Sequence, residues 1–316
     1  MARREQHGSR PDLRLIAEAD RGTRSVASPL AGVLFPPLIS SAARPGWNRV
    51  LVELHQASGW EAEARIPFHI VSMMLRPPPR LTCRLEGGRT VSGRLAPGDL
   101  VVVPTGRLHW GTWEDRAEFI LAYVAPDVLA RAVSDDGLDA DSFDLDYRFQ
   151  AHDPRITSLL LALRAQLGTP GAEDALYVDT LGVELAVQLL RGYGTAPLRL
   201  RAYRGGLSRA KLHTVLEYLN AHLERNIPLA ELAGLVAMSQ FHFLRLFHAS
   251  AGRTPHQYLV ERRVEVARSI LLREDISLAD VAYRVGFADQ SHLTRHFRRL
   301  TGAPPGSLRR QRRPSY

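Results

Sequence analysis

The stretch LADVAYRVGFADQSHLTRHFRRLTGAPP, residues 278–305, repeats an earlier one, LAELAGLVAMSQFHFLRLFHASAGRTP, residues 229–255. Leu229, Ala230, Leu232, Ala233 and Val236 recur as Leu278, Ala279, Val281, Ala282 and Val285, at an offset of 49. Arg245, Phe247, Gly252 and Pro255 recur as Arg295, Phe297, Gly302 and Pro305, at an offset of 50, so the second copy carries one more residue in its middle. Self-similarity at a fixed spacing marks two copies of one supersecondary unit.

Each copy reads as a short helix, a turn and a second helix. Ser277 is placed to cap the first helix of the later copy, with Asp280 three residues on in a box-like arrangement. In the earlier copy Pro228 stands at the helix start, where its missing N–H is harmless. Ala233 and Ala282 are small enough for the next helix to cross closely, and Gly252 and Gly302 stand where the second helices should end.

Both second helices have two faces. With Phe243 at 0° and 100° per residue, Phe247 falls near 40° and Ser250 near 340°, an inner face. Phe241, Leu244, Arg245 and His248 fall between roughly 100° and 200°, an outer face. In the later copy Leu293, Phe297 and Leu300 form the inner face. Ser291, Thr294, Arg295 and Arg298 point outward there, flanked by Gln290 and His292. An outward row of Arg, Gln, Ser, Thr and His suits base edges in a major groove: Arg pairs with guanine O6 and N7, and Thr or an apolar group meets a thymine methyl. Between the copies, Thr254 and Pro255 should start a helix running to about Arg273. Roughly 18 residues at about 1.5 Å each give about 27 Å, enough to hold two such helices near one DNA turn, about 34 Å, apart.

The charge distribution agrees. The 316 residues carry a formal net charge of +8. From Gly205 onward there are 17 Lys and Arg against 9 Asp and Glu, and residues 1–204 hold the remaining 24 of each. The excess therefore lies in the C-terminal third, the footprint of a nucleic-acid-facing unit joined to a neutral one.

At these residues the chain resembles the AraC/XylS family of bacterial transcription regulators, over about Ser208 to Arg310. The most specific part is Arg263-x3-Ala267-x3-Leu271, then Ile276 through Val281-Ala282, Val285-Gly286-Phe287, Ser291-His292-Leu293, Phe297-Arg298 and Gly302-x-x-Pro305. The resemblance implies seven helices with two recognition helices in adjacent major-groove segments. It implies base-approaching positions at Phe241, Leu244 and Arg245, then at Gln290, Ser291, His292 and Arg295. Leu244 departs from a polar pattern, so the first helix is expected to read shape more than bases.

Toward the N-terminus the pattern changes. Val50, Val52 and Leu54 alternate with polar neighbours, the period of a half-buried strand. Turn signals follow at Pro77-Pro78-Pro79, Gly87-Gly88, Pro97-Gly98 and Pro104-Thr105-Gly106. Many short strands so spaced predict a small sandwich or barrel. Gly98-x5-Pro104-x-Gly106-x2-His109 resembles a cupin motif, which implies a jelly-roll barrel serving as an effector module. Trp47, His69, His109 and Trp110 are the expected pocket residues, since aromatic walls with few polar groups suit small-molecule sites. The alternative is a metal-dependent cupin enzyme with an accessory nucleic-acid-binding unit. It needs a His-x-His pair, and His69 stands alone in His-Ile-Val. With His109 that makes two imidazoles, where a metal site takes three or four ligands. No metal, cofactor or catalytic residue is expected.

The expected multidomain α+β layout is a tail at 1–28, the cupin-like barrel at 29–125, a helical segment at 126–193 that could dimerise, and a linker at 194–208. An all-α double helix-turn-helix unit follows at 209–310, its copies at about 228–250 and 277–300. The single cysteine, Cys83, allows no internal disulfide. MARREQHGSR has no apolar run after its basic residues, so it does not read as a signal peptide. Apolar runs such as Leu100–Val103 are too short to span a bilayer. The expectation is a cytoplasmic regulator, not an enzyme. Its expected partners are promoter DNA, an unidentified small molecule, RNA polymerase and a second copy of itself.

Overall fold

The computed structural model describes residues 36–42, 47, 49–134, 144–167, 174–195 and 205–312. The tail at 1–28 and most of the linker at 194–208 lie outside them.

The N-terminal region is an antiparallel sheet built around its two longest strands, β2 (Val50–Arg65) and β7 (Leu108–Val124). They pair along nearly their whole length, with one register shift between Ser58 and Trp60 where Gly59 takes φ +64°. The other edge of β7 is shared: β3 (His69–Arg76) pairs with its C-terminal half and β4 (Leu81–Leu85) with its N-terminal part. β1 (Ile39–Ser40) extends the sheet beyond β2, β5 (Val91–Gly93) extends it beyond β4, and β6 (Leu100–Val103) beyond β3.

The period of two along these strands explains why both faces are buried. Ala117, Phe119, Leu121 and Tyr123 of β7 join Ile70, Met74, Val101 and Val103 in one core. Ile120, Ala122 and Val124 join Val71, Met73, Leu100 and Val102 in the other, which the helices complete. Those helices are α1 (Pro126–Ser134), α2 (Pro154–Leu167) and α3 (Ala175–Tyr193). The segment 126–193 is not purely helical: β8 (Arg148–Ala151) pairs with β6, so the sheet extends past residue 125. Four residues carry too little periodicity to be noticed. α2 lays Ile156, Leu160, Leu163 and Leu167 on the core. α3 is buried on almost every side, because the sheet lies on one flank and the C-terminal helices on another.

The C-terminal region is all helix: α4 (Arg209–Ala221), α5 (Leu229–Leu235), α6 (Gln240–Ala251), α7 (Pro255–Arg273), α8 (Leu278–Arg284), α9 (Gln290–Thr301) and α10 (Pro305–Arg312). Its ends follow local chemistry. The Thr254 hydroxyl accepts from Gln257 N while the Gln257 side chain accepts from Thr254 N, a complete capping box with Pro255 just inside. Ser277 caps α8 by accepting from Asp280 N, but its hydroxyl donates to the Asp280 carboxylate, so the reciprocal backbone bond is not made. Gly252 and Gly302 end α6 and α9 at φ +68° and +79°, the left-handed conformation that glycine adopts without penalty. Phe243 and Phe247, like Leu293 and Phe297, are buried inner faces; Leu300, expected beside the latter pair, is 41% exposed. Among the described residues no helix is long and apolar enough to cross a membrane.

Candidate nucleic-acid interface

The two second helices differ in what lies against their outer faces. On α9 the side chains of Gln290, Ser291, Thr294, Arg295, Arg298 and Arg299 line one open groove, and Gln290, Ser291, Arg295 and Arg298 are all exposed. Asp289 caps this helix, its carboxylate accepting from His292 N at 2.7 Å. The exposed face therefore presents three guanidinium groups beside amide and hydroxyl donors, the set that can meet phosphates and base edges. Arg299, at the edge of the wheel's outer arc, is not singled out by the sequence pattern.

His292 does not join that row. Its ring packs edge-on against Phe287 at 5.3 Å and its Nε2 lies 2.9 Å from His296 Nε2. Burial, reinforced by Arg295, lowers its pKa. His296 is pulled down to about 3, by burial and then by His292 and nearby arginines. Both imidazoles are thus held neutral against the body of the domain.

On α6 the expected outer face is covered. Phe241 and Leu244 are only 8% and 6% exposed, within the core shared with α3. They are interface residues between the two halves of the chain in this conformation, not presented to solvent. Arg245 and His248 border the same cleft, with Leu181, Glu184 and Arg191 of α3 across from them. Arg49, just ahead of β2, donates through Nε to Gln240 Oε1 at 3.0 Å and sits over the Phe241 ring at 5.4 Å.

Further bonds fasten the halves together. Asp179 of α3 accepts from Leu229 N at 3.1 Å, and Asn226 accepts from Ala175 N at 2.8 Å. Asp174 caps α3 and lies 3.1 Å from His256 Nε2 and 3.7 Å from an Arg263 nitrogen. Burial would raise the Asp174 pKa, but His256, Arg263 and the Tyr177 amide outweigh it and hold the carboxyl well below the usual range. Arg263 also donates to the carbonyls of Leu223 and Arg225, so this buried cation is multiply bonded, as burial requires.

In the sheet, one cavity of about 90 Å³ opens among β2, β3, β4, β6 and β7. Of the four expected pocket residues only His109 lines it. Trp47 is packed in the helix-side core. His69 is buried, its Nδ1 accepting from Thr105 N at 3.2 Å. Trp110 is on the other face of β7, its Nε1 3.4 Å from Glu61 and its ring below Arg84. The cavity aromatics are Trp60, Trp113 and Phe119 instead. Strand parity is enough to place Trp113 and Phe119 with His109, since these odd positions of β7 share a face that 110 does not, whereas Trp60 needs the β2–β7 register. Gly111 fits because a Cβ there would meet the Trp60 ring at 2.9 Å. His69 lies opposite Val124 and His109 near the other end of β7, so the two imidazoles are at opposite ends of one strand. Among the described residues no cluster of three or more His, Cys, Asp or Glu could hold a metal.

The C-terminal region is thus a double helix-turn-helix unit, two short helix pairs joined by a long helix. Residues 232–311 match the family described as helix-turn-helix domain. The chain is 29% identical over 160 residues to an AraC-like transcription regulator of Streptomyces lividans, covering 50% of this chain and 53% of that protein. It is 26% identical over 241 residues to the arabinose operon regulatory protein of Escherichia coli, covering 72% and 78%. The DNA-binding domain of AdpA, a global transcriptional factor solved with a target DNA, is 35% identical over 34% of this chain and 98% of that one, with a TM-score of 0.31. Residues 232–311 are a helix-turn-helix domain by this match, and the chain has relatives among AraC-like transcriptional regulators. The chain spans about half or less of the length of the first curated relatives it matches.

Proposed function

We propose that this protein is a sequence-specific DNA-binding transcriptional regulator controlled by a small molecule in its N-terminal sheet, which we read as a cupin-like jelly-roll barrel. The observation that carries the reading is the α9 groove, where Gln290, Ser291, Arg295 and Arg298 stand together and exposed in a net-basic domain. The relatives' names support it, as does α7, a rigid 19-residue connector between the two units. Under this reading the chain acts in the cytoplasm by binding, not catalysis. Its partners are duplex DNA, the effector, RNA polymerase and a second copy of the chain. With α3 occupied inside the chain, the exposed Leu161 of α2 marks the hairpin face left for that second copy. Reading DNA with both units requires α6 to leave α3.

Selection from random duplexes by gel shift tests the proposal. One enriched motif is expected, with Arg295→Ala weakening binding to it by about 1–3 kcal/mol. No enrichment, or unchanged binding by Arg295→Ala, would overturn it.

A further inference from the structure

The cavity in the sheet is chemically one-sided. Its walls include Trp60, Met74, Cys83, Trp113 and Phe119, and no carboxylate, ammonium or guanidinium lines it. A charged ligand would leave water with nothing in such surroundings to balance it. Its histidine offers no compensation, because burial pulls His109 down to about 4 and the ring is neutral near pH 7. Cys83 is no nucleophile either: burial pushes its thiol up to about 12, against a hydrogen bond with Tyr147 that lowers it.

Two of the lining residues carry a buried polar atom with no hydrogen-bond partner among the described residues, Trp113 Nε1 and His109 Nε2. Trp113 is 8% exposed. Its ring lies 4.6 Å from Trp60 and edge-on to Phe119 at 5.5 Å, so its orientation is fixed by packing. An indole N–H can only donate, and a buried donor without an acceptor is an uncommon expense that a ligand can remove. The volume, about 90 Å³, is of the order of the ~150 Å³ that admits benzene in an apolar engineered cavity.

We infer that this cavity binds an uncharged, predominantly apolar ligand, about one small ring in size, whose hydrogen-bond acceptor is received by the indole N–H of Trp113. The inference deepens the effector reading above and rests on it only for the consequence at DNA. Aromatic walls favour a flat apolar group, and an acceptor at its edge meets the indole N–H in the plane of the Trp113 ring.

Three probes of similar size separate the requirements: acetophenone (neutral, with an acceptor), ethylbenzene (neutral, without one) and benzoate (charged). Their binding to the full chain is measured by calorimetry and thermal shift. Acetophenone is expected to bind roughly fivefold tighter than ethylbenzene, the worth of about one hydrogen bond, and benzoate at least about tenfold weaker than either neutral probe. In Trp113→Phe the acetophenone advantage should vanish while ethylbenzene still binds, which also reports an intact pocket. Ala117→Leu, which fills the cavity, should abolish binding of all three. Benzoate binding as tightly as acetophenone would overturn the inference, as would no binding by either neutral probe or an acetophenone advantage that survives Trp113→Phe. Gel shifts with and without acetophenone keep the two readings apart. Binding that leaves DNA affinity unchanged upholds the ligand class and removes effector control.

Discussion

The Arg49 guanidinium donates to Gln240 Oε1 at 3.0 Å, tying the N-terminal sheet to the first residue of α6. The contact stands beside the covered Phe241 and Leu244, so the same interface that completes the core withholds the α6 face that the proposed function assigns to DNA. Removing it shifts the balance toward a separated state. Arg49→Ala loses one charge-assisted hydrogen bond and one cation–π contact, together about 1–2 kcal/mol. It is expected to tighten full-length binding to a two-unit DNA site several-fold in gel shifts. Unchanged or weaker binding would show that the α3–α6 contact does not compete with DNA.

Substitutions on the two second helices should fail in different ways. Arg295→Ala should keep the melting temperature and relax base preference, because its side chain is exposed. Phe241→Ala should lower the unfolding free energy by about 3–5 kcal/mol, the cost of emptying an aromatic site in a core. Denaturant titration and motif selection on both variants separate the effects, and a Phe241→Ala protein of full stability would contradict the packing described.

The turns make a matched pair. Gly286 has φ +87°, and a Cβ there would meet the Leu223 carbonyl oxygen at 2.3 Å. Its counterpart in the first unit is Ala237, at φ +50°. Gly286→Ala should therefore destabilise by about 2–4 kcal/mol. Ala237→Gly should stabilise by about 1 kcal/mol by relieving a left-handed alanine. Urea midpoints moving the same way in both variants would refute the comparison.

Acid should loosen the fold through its buried histidines. Burial brings His69 down to about 4, with Asp144 opposing, and burial alone does the same to His109. His296 lies lower still, at about 3. Above their ordinary value of 6.5, folded and unfolded chains both hold these rings neutral. Between there and about 4 the unfolded chain binds protons that the folded one refuses, so stability falls as pH drops. The loss should reach roughly 1–2 kcal/mol per histidine by about pH 5. Urea midpoints from pH 7.5 to 5 should show this decline, shallower in His109→Phe. A midpoint that rises on acidification would contradict it.

Much of this was legible in the sequence. The repeat, the caps at Thr254 and Ser277 and the glycines at 252 and 302 are local signals, set by backbone chemistry within a few residues. The covering of the α6 outer face is not legible in the sequence, because the wheel distinguishes inner from outer only relative to its own unit. In this structure Phe241 and Leu244 are covered by α3, which comes from far away in the chain. Trp60 is illegible for a similar reason. Trp60 reaches His109's neighbourhood only through the β2–β7 register, with Ala64 opposite His109 and Trp60 opposite Trp113. β8 needed its partner β6 to be recognised at all.

The bond from Leu229 N to Asp179 has a consequence for protein engineering. Pro228 supplies no side-chain cap to α5, and the missing acceptor arrives from the other half of the chain. A chimera that transplants the C-terminal third onto a foreign sensory module would cut at the apparent linker and leave this amide behind without its carboxylate. The seam visible in the sequence is therefore not the seam in the molecule, and a working graft would have to carry α3 along with the domain it supports.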